Sequence, residues 1–216
     1  MDVKPLTIEL TGGYTDPSGV VHKSVTFGNP ITGSVLFSIA EDPLSSLYTQ
    51  KELLAISKSI TAFGSLTMPV ALSVLLALDE FDIEDLHKGQ DEFDAQIIKG
   101  RTAQFISDGE VKLSIGFERD LFTYPNVKFS HHVTGRDMAH ADSLGFQGLK
   151  RACYLTSRQI ESLTTEDGSS NIQGPIDIDL FNNLHSSDVM ALLVASERWR
   201  DSFRRRRGKV QKEVGA

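Results

Sequence analysis

The segment Leu78-Asp79-Glu80-Phe81-Asp82-Ile83-Glu84-Asp85-Leu86 decides the fold, because a counterpart follows 106 residues later as Leu184-His185-Ser186-Ser187-Asp188-Val189-Met190-Ala191-Leu192. In each segment an aspartate follows the first leucine by four residues, and an aromatic residue, Phe93 or Trp199, follows the second leucine by seven. This spacing places the apolar side chains on one face of a helix. It predicts an amphipathic helix in each half of the chain, the first capped by Asp82 and the second by Ser187.

Two further blocks repeat in the same order. Val25-Thr26-Phe27 followed by Thr32-Gly33 recurs 102 positions later as Val127-Lys128-Phe129 followed by Thr134-Gly135. The segment from 51 to 60 matches the segment from 151 to 160 at an offset of 100. Three blocks with nearly constant offsets predict an internal duplication.

The expected fold class is therefore α+β, formed by tandem duplication of a unit in which a β-hairpin is followed by a small helical bundle. We expect the first unit at 1–98, the second at 99–203 and a basic C-terminal tail at 204–216, with the join near Lys99-Gly100-Arg101. A chain of 216 residues is long enough for two small domains.

In the first unit, alternating residues predict strands at 6–10 and 20–27, with a Gly- and Asp-rich turn between them. Thr49 and Glu52 have the spacing of a capping box, which predicts a helix over 50–63. Pro69 is expected at the first position of a short apolar helix that ends near Leu78.

In the second unit, strands are expected at 102–107, 110–117 and 124–130. Thr134 is expected to cap a short helix that ends at Gly145, and Asp177 to cap a later one. A helical stripe is predicted beyond Gly145, formed by Leu149, Ala152, Cys153, Ile160 and Leu163.

Composition favours a soluble protein of a reducing compartment. Cys153 is the only cysteine, and the N-terminal residues lack the apolar core of a signal peptide. The longest apolar stretch, 68–78, is well short of the roughly 20 residues that span a bilayer. We therefore expect a cytoplasmic location and no membrane association.

No motif of catalysis or cofactor binding is present. The pair His131-His132 lacks the further ligands that zinc needs, and Cys153 lies on an apolar stripe that favours a core position over a nucleophile. Asp177 and Asp179 are better explained as residues at a helix start than as a carboxylate pair. We expect no catalytic residue, no metal and no cofactor.

Charge is distributed unevenly along the chain. The formal net charge is −7, but residues 198–216 carry eight Lys or Arg against Asp201 and Glu213, a local +6, so that residues 1–197 carry −13. An acidic body disfavours nucleic acid, and only the run that begins at Arg204 could bind it. The alternatives for that run are a solvated helix end and a contact with the acidic body of another copy.

The repeated unit, with its hairpin, its Thr-Gly or similar loop, two helices and a closing Leu-x-x-x-Asp-(Ile/Val)-x-x-Leu helix that ends in an aromatic residue, resembles the tail assembly chaperones of long-tailed bacteriophages. Among these it is similar to the Mu-like tail assembly proteins. Nearly the whole chain takes part in the resemblance. The chain departs from the family in one respect, because members usually hold one such unit and two are predicted here.

The resemblance implies a non-enzymatic protein of the bacterial host cytoplasm that binds the helical tape-measure protein and helps recruit tail-tube subunits. Alternatives are a virion structural component, such as a tail-completion or baseplate protein, and a nucleic-acid-binding regulator that uses the arginine-rich tail. Homo-oligomerisation also stays open. The candidate partner-binding residues are Phe93, Trp199, Phe203, Arg204, Arg205, Arg206 and Arg207. For Phe93 and Trp199 the alternative is a place in the core.

Overall fold

The structure, a computed structural model, describes residues 3–42 and 47–214, with 206–214 as backbone only. Its fold is mixed α/β, with helices and two antiparallel sheets. The chain divides into two compact units: Met1–Ile31 with Val35–Gly100, and Thr32–Ser34 with Arg101–Ala216. We describe them in turn as unit 1 and unit 2.

Unit 1 is built on a three-stranded sheet in the order β1-β2-β3, with antiparallel neighbours. Its elements, in chain order, are β1 (Leu6–Thr15), β2 (Val21–Phe27), α1 (Gly33–Glu41, whose first two residues belong to unit 2), α2 (Tyr48–Ser59), β3 (Ile60–Phe63), α3 (Leu72–Leu75) and α4 (Glu80–Ile98). The turn between β1 and β2 is held by Asp16, whose carboxylate accepts hydrogen bonds from the amides of Ser18 and Val20. The Ser18 hydroxyl, which has the largest effect, the His22 ring and these amides together lower the pKa of Asp16 well below its usual range.

The core of unit 1 forms where α4 packs on the sheet. Phe93 of α4 is fully buried and stacks on Phe27 of β2, with 6.3 Å between ring centroids. Leu86, two turns earlier on α4, is also fully buried. The apolar face predicted for this helix is therefore its core face.

Unit 2 has a five-stranded sheet in the order β4-β5-β6-β7-β8, again with antiparallel neighbours. Its elements are β4 (Gln104–Ser107), β5 (Glu110–Arg119), β6 (Phe122–Phe129), α5 (Gly135–Ser143), α6 (Gly148–Ser157), β7 (Ile160–Thr164), β8 (Asn171–Gln173), a 3-10 helix (Ile178–Asn183) and α7 (Ser186–Val214). In the core, Phe117 and Phe181 pack edge to face at 5.4 Å. Thr134 caps α5 as predicted, and Asp177 caps the 3-10 helix by accepting the Asp179 amide at 3.0 Å.

Three strands, β3, β7 and β8, are absent from the sequence predictions, and two of them replace predicted helical segments. The helix predicted over 50–63 ends at Ser59, and its last four residues form β3, which pairs Phe27 with Ile60 and Val25 with Phe63. The stripe predicted to continue through Ile160 and Leu163 likewise ends with α6, and both residues lie in β7. The prediction was wrong because apolar spacing alone cannot show that β2 and β6 each take a second antiparallel neighbour.

Three predicted helix starts were also wrong. Thr49 lies inside α2, whose start is marked by Leu47, and the Leu47 amide donates to Gln50 Oε1 at 3.4 Å. Pro69 lies before α3 and not at its first position. Ser187 is the second residue of α7, and its amide donates to Nδ1 of His185, the residue before the helix.

Asp82 does not cap α4, contrary to the sequence prediction, but binds the hairpin instead. Asp79 is the capping residue, accepting the Asp82 amide at 2.9 Å. Asp82 is buried, and its carboxylate accepts the amides of Gly12 and Gly13 at 2.8 and 2.7 Å. These amides lie where the β1–β2 register shifts and the ladder leaves them without strand partners. Asp82 therefore joins the closing helix to the irregular part of the hairpin.

Asp188 makes the corresponding contact in unit 2. It is fully buried and accepts the amides of Ser114, Ile115 and Gly116 at 2.7 to 2.9 Å, again where the register of the hairpin shifts. Gly116 has φ of +99°, and a Cβ there would lie 2.6 Å from the Tyr124 carbonyl oxygen, so the position requires glycine.

Candidate binding groove

The two aromatic candidates differ in accessibility. Phe93 is fully buried in unit 1 and presents no surface to a partner in this conformation. Trp199 is partly exposed; its Nε1 donates to the His131 carbonyl oxygen at 3.0 Å, and its ring stacks on His132 at 5.5 Å. Phe203, the third aromatic candidate, also contacts the His132 ring, with 3.7 Å between the two ring centroids. The pair His131-His132 thus helps to hold the middle of α7.

The arginine run extends a helix. Helix α7 continues through it to Val214. Arg204 and Arg205 are exposed, and they lie 3.4 Å from Asp201 and 3.6 Å from Asp108. Exposed ion pairs of this kind contribute little to stability. The side chains of Arg206 and Arg207 lie outside the described residues.

An open groove of about 450 Å³ runs between α6 and α7 of unit 2. Its apolar lining residues are Val133 in the segment before α5, Ala152 and Leu155 on α6, and Met190, Leu193 and Val194 on α7. Met190 is 53% exposed and Val194 40% exposed, although Val189 and Leu192 beside them are fully buried. Helix α7 is therefore apolar on two faces, one of which packs on the sheet while the other lines the groove.

The floor of the groove contains an amide that is only partly satisfied. Gln159 is 1% exposed, and its Oε1 accepts a hydrogen bond from Ser196 Oγ at 2.5 Å. Its Nε2 has no hydrogen-bond partner among the described residues. A buried amide nitrogen in this state is uncommon, since most buried donors find an acceptor.

Charged residues stand at the rim. Arg151 Nε lies 2.9 Å from Asp142 Oδ1, and Arg200 lies 3.9 Å from Glu197 Oε1 in a looser pair. Arg151, Glu197 and Arg200 all line the groove. The groove thus has an apolar strip, a polar amide at its base and two arginines at its edge, each of which lies near a carboxylate.

The reactive groups singled out in the sequence do not lie in this groove. Cys153 belongs to α6 but is fully buried, and burial raises the pKa of its thiol to about 12. It is therefore protonated at neutral pH and a poor nucleophile. Among residues 3–42 and 47–214, no group of three or more His, Cys, Asp or Glu side chains is placed to hold a metal ion.

Comparisons with known proteins add no identification. No protein-family model, curated protein or solved structure matches the chain significantly. Within the described part of the chain, no helix has both the length and the apolar character needed to cross a membrane.

Sequence reasoning did not find the groove, although a signal for it was present. The alignment of the repeats pairs Met190 with Glu84 and Val194 with Lys88 at an offset of 106. The second segment thus has apolar residues where the first has a glutamate and a lysine. This contrast marks the face of the second helix that carries Met190 and Val194 as unusual.

Proposed function

We propose that the chain is a non-enzymatic tail assembly chaperone of the long-tailed bacteriophage type. In this proposal it acts in the host cytoplasm, binds the helical tape-measure protein and helps recruit tail-tube subunits. The observation that carries the proposal is the open apolar groove between α6 and α7, which has the form of a docking site for a helix. The resemblance in the order of hairpin, helices and closing helix supplies the identity of the partner.

We also propose that the two units are copies of one ancestral unit. In support, each has a hairpin, two helices, a strand next to the hairpin, a short helix and a long closing helix, in that order. Asp82 and Asp188 each occupy the third position of the closing helix and each bind the irregular part of their hairpin. Unit 2 adds β4 and β8, one strand on either side of the shared three.

The shape of the groove suits one added helix. Met190, Leu193 and Val194 follow the i, i+3, i+4 spacing along α7, while Ala152 and Leu155 are three apart on α6. Two such ridges with a gap between them accept the apolar stripe of a third helix. A tape-measure protein is a long helical chain whose stripe would aggregate if uncovered, so covering it segment by segment is a chaperone's task.

Co-expression tests the proposal. The partner is the product of the very long gene expected beside this coding sequence, and the readout is its soluble yield and its recovery with the tagged chain. The double variant Met190→Glu/Val194→Lys introduces the pair that unit 1 carries as Glu84 and Lys88, which is compatible with an exposed helix face. We expect it to reduce recovery at least tenfold.

A matched control uses exposed apolar residues that do not line the groove. Val20 and Val21 are about as exposed as Met190, and the double variant Val20→Glu/Val21→Lys makes the same chemical change. It should leave recovery unchanged. Equal losses in both variants, or partner solubility that does not depend on the chain, would contradict the proposal.

The alternatives predict different results. A structural component would be found at fixed stoichiometry in purified virions by mass spectrometry. A regulator would bind DNA selectively at physiological salt, and the groove variant would leave that binding intact.

A further inference from the structure

We propose that the groove between α6 and α7 recognises a partner helix that carries a hydrogen-bond acceptor side chain at its centre and acidic side chains along its edge. This inference rests on the proposed function, because it takes a helical protein as the occupant.

The central acceptor follows from Gln159. Its Oε1 is engaged by Ser196, so the side chain is held in one orientation, while Nε2 has no partner among the described residues. An Asn or Gln side chain on the occupant would complete this amide. An apolar residue at the same place would leave the donor unpaired, as it is in the free chain, so only an occupant that brings an acceptor there gains the hydrogen bond.

The acidic edge follows from the rim. Arg200 is half exposed and only loosely paired with Glu197 at 3.9 Å, and Arg151 is partly buried beside Asp142. Guanidinium groups bind carboxylates in a planar, two-bond geometry. Carboxylates on the occupant would therefore meet both arginines.

The same arginines argue against a second copy as occupant. A symmetric dimer formed groove to groove would place two identical rims against each other, each with two arginines and Glu197 as its acidic lining residue. Like charges at a desolvated contact are costly. An acidic helix from a different protein meets no such repulsion.

The length of the groove sets the length of the occupant. Met190 and Arg200 are ten residues apart on α7, which corresponds to about 15 Å, or roughly three helical turns. That length accommodates apolar anchors at i, i+3, i+4 and i+7 with one polar position among them.

The probe is a set of four 18-residue helical peptides that share a leucine stripe. They carry Asn or Leu at the central position and Glu or Lys at the flanks, and their binding to the full chain is measured by fluorescence anisotropy. We expect the Asn peptide with Glu flanks to bind most tightly. Replacing Asn by Leu should weaken binding about tenfold, and replacing Glu by Lys should weaken it several-fold, less so at high salt.

Variants of the chain test whether Gln159 causes the preference for Asn and whether Arg151 and Arg200 cause the preference for Glu. Gln159→Met keeps the length of the side chain and removes the amide, so the preference for Asn over Leu should disappear. Arg151→Gln/Arg200→Gln should remove the preference for Glu. Circular dichroism and thermal melting establish that each variant is folded, and the comparison among peptides on the unaltered chain does not depend on any variant.

Several results would overturn the inference. They are a wild-type chain that binds the Asn and Leu peptides equally, a preference for Asn that survives in Gln159→Met, and binding that survives in Met190→Glu/Val194→Lys. Tape-measure binding without any peptide binding would refute this recognition and leave the proposed function standing. Selective peptide binding without tape-measure binding would support this recognition and refute the proposed function.

Discussion

The same surface of the closing helix is charged in unit 1 and apolar in unit 2. On α4 the exposed residues Glu84 and Lys88 form an i, i+4 ion pair at 3.4 Å, with each side chain about two-thirds exposed. At the aligned positions of α7 stand Met190 and Val194, which are also exposed. On the preceding helix, Glu52 and Ala55 align with Ala152 and Leu155. Unit 1 folds with charged residues at these positions, so a closing helix of this kind does not require apolar residues there.

Inside the units the comparison gives the opposite result, because buried positions keep their roles. Ser57 and Ser157 both donate to the carbonyl three residues earlier, and Phe27 and Phe129 both pair with the first residue of the next strand. Gln159 and Ser196 contact each other in unit 2, while the aligned positions of unit 1 hold Ser59 and Gln90, the same two residue types exchanged. If the two units are copies, as proposed, their interiors match while this one surface differs.

The largest expected effect concerns the buried aspartates. Asp188→Ala would leave three buried hairpin amides without an acceptor and should lower the free energy of unfolding by about 3 kcal/mol or more. Asp82→Ala should cost less, about 2 kcal/mol, because Gly12 and Gly13 are nearer to solvent and water can replace the carboxylate. Urea denaturation measures both. Equal losses of unfolding free energy in the two variants would contradict the expectation that the more deeply buried Asp188 contributes more than Asp82.

The closing aromatics should differ in the same way. Phe93→Ala empties a fully buried position and should cost about 3–5 kcal/mol. Trp199→Ala removes a partly exposed ring and should cost about 1–2 kcal/mol. Thermal melting followed by circular dichroism compares them. If Trp199→Ala also left partner recovery unchanged, Trp199 would be a packing residue of unit 2 and not an anchor.

The reciprocal exchange sharpens the surface comparison. Glu84→Met/Lys88→Val removes an exposed ion pair, so stability should change by no more than about 0.5 kcal/mol. The variant should bind more of a hydrophobic fluorescent dye than the wild type, because it exposes a new apolar patch. A large loss of stability would mean that the charges of unit 1 are needed for its fold.

The smallest effect is expected from the tail. Deleting residues 204–216 should weaken retention on immobilised DNA, and the difference should vanish as salt rises, because the contact is one of counterion release. Retention that persists at physiological salt and depends on DNA sequence would favour the regulator.

The sequence was sufficient for much of the fold and for little of the groove. The hairpins, the cap at Thr134 and the closing helices were predictable because turn chemistry, capping and periodicity are local. Strands β3 and β7 were missed because Ile56, Ile60 and Phe63 keep a helical spacing while the pairing that overrides it is distant in sequence. Gln159 could not be assigned, since a single helix pattern does not show which face its neighbours leave uncovered.

Hydrogen exchange on the complex with a tape-measure fragment tests the central claim most directly. Mass spectrometry would compare amide protection in the free and bound chain. We predict that added protection is confined to α6 and to the first half of α7, with α2 and α4 unchanged. Protection centred on α2 and α4, or none in α6 and α7 at saturating fragment, would contradict the assignment of the groove as the binding site.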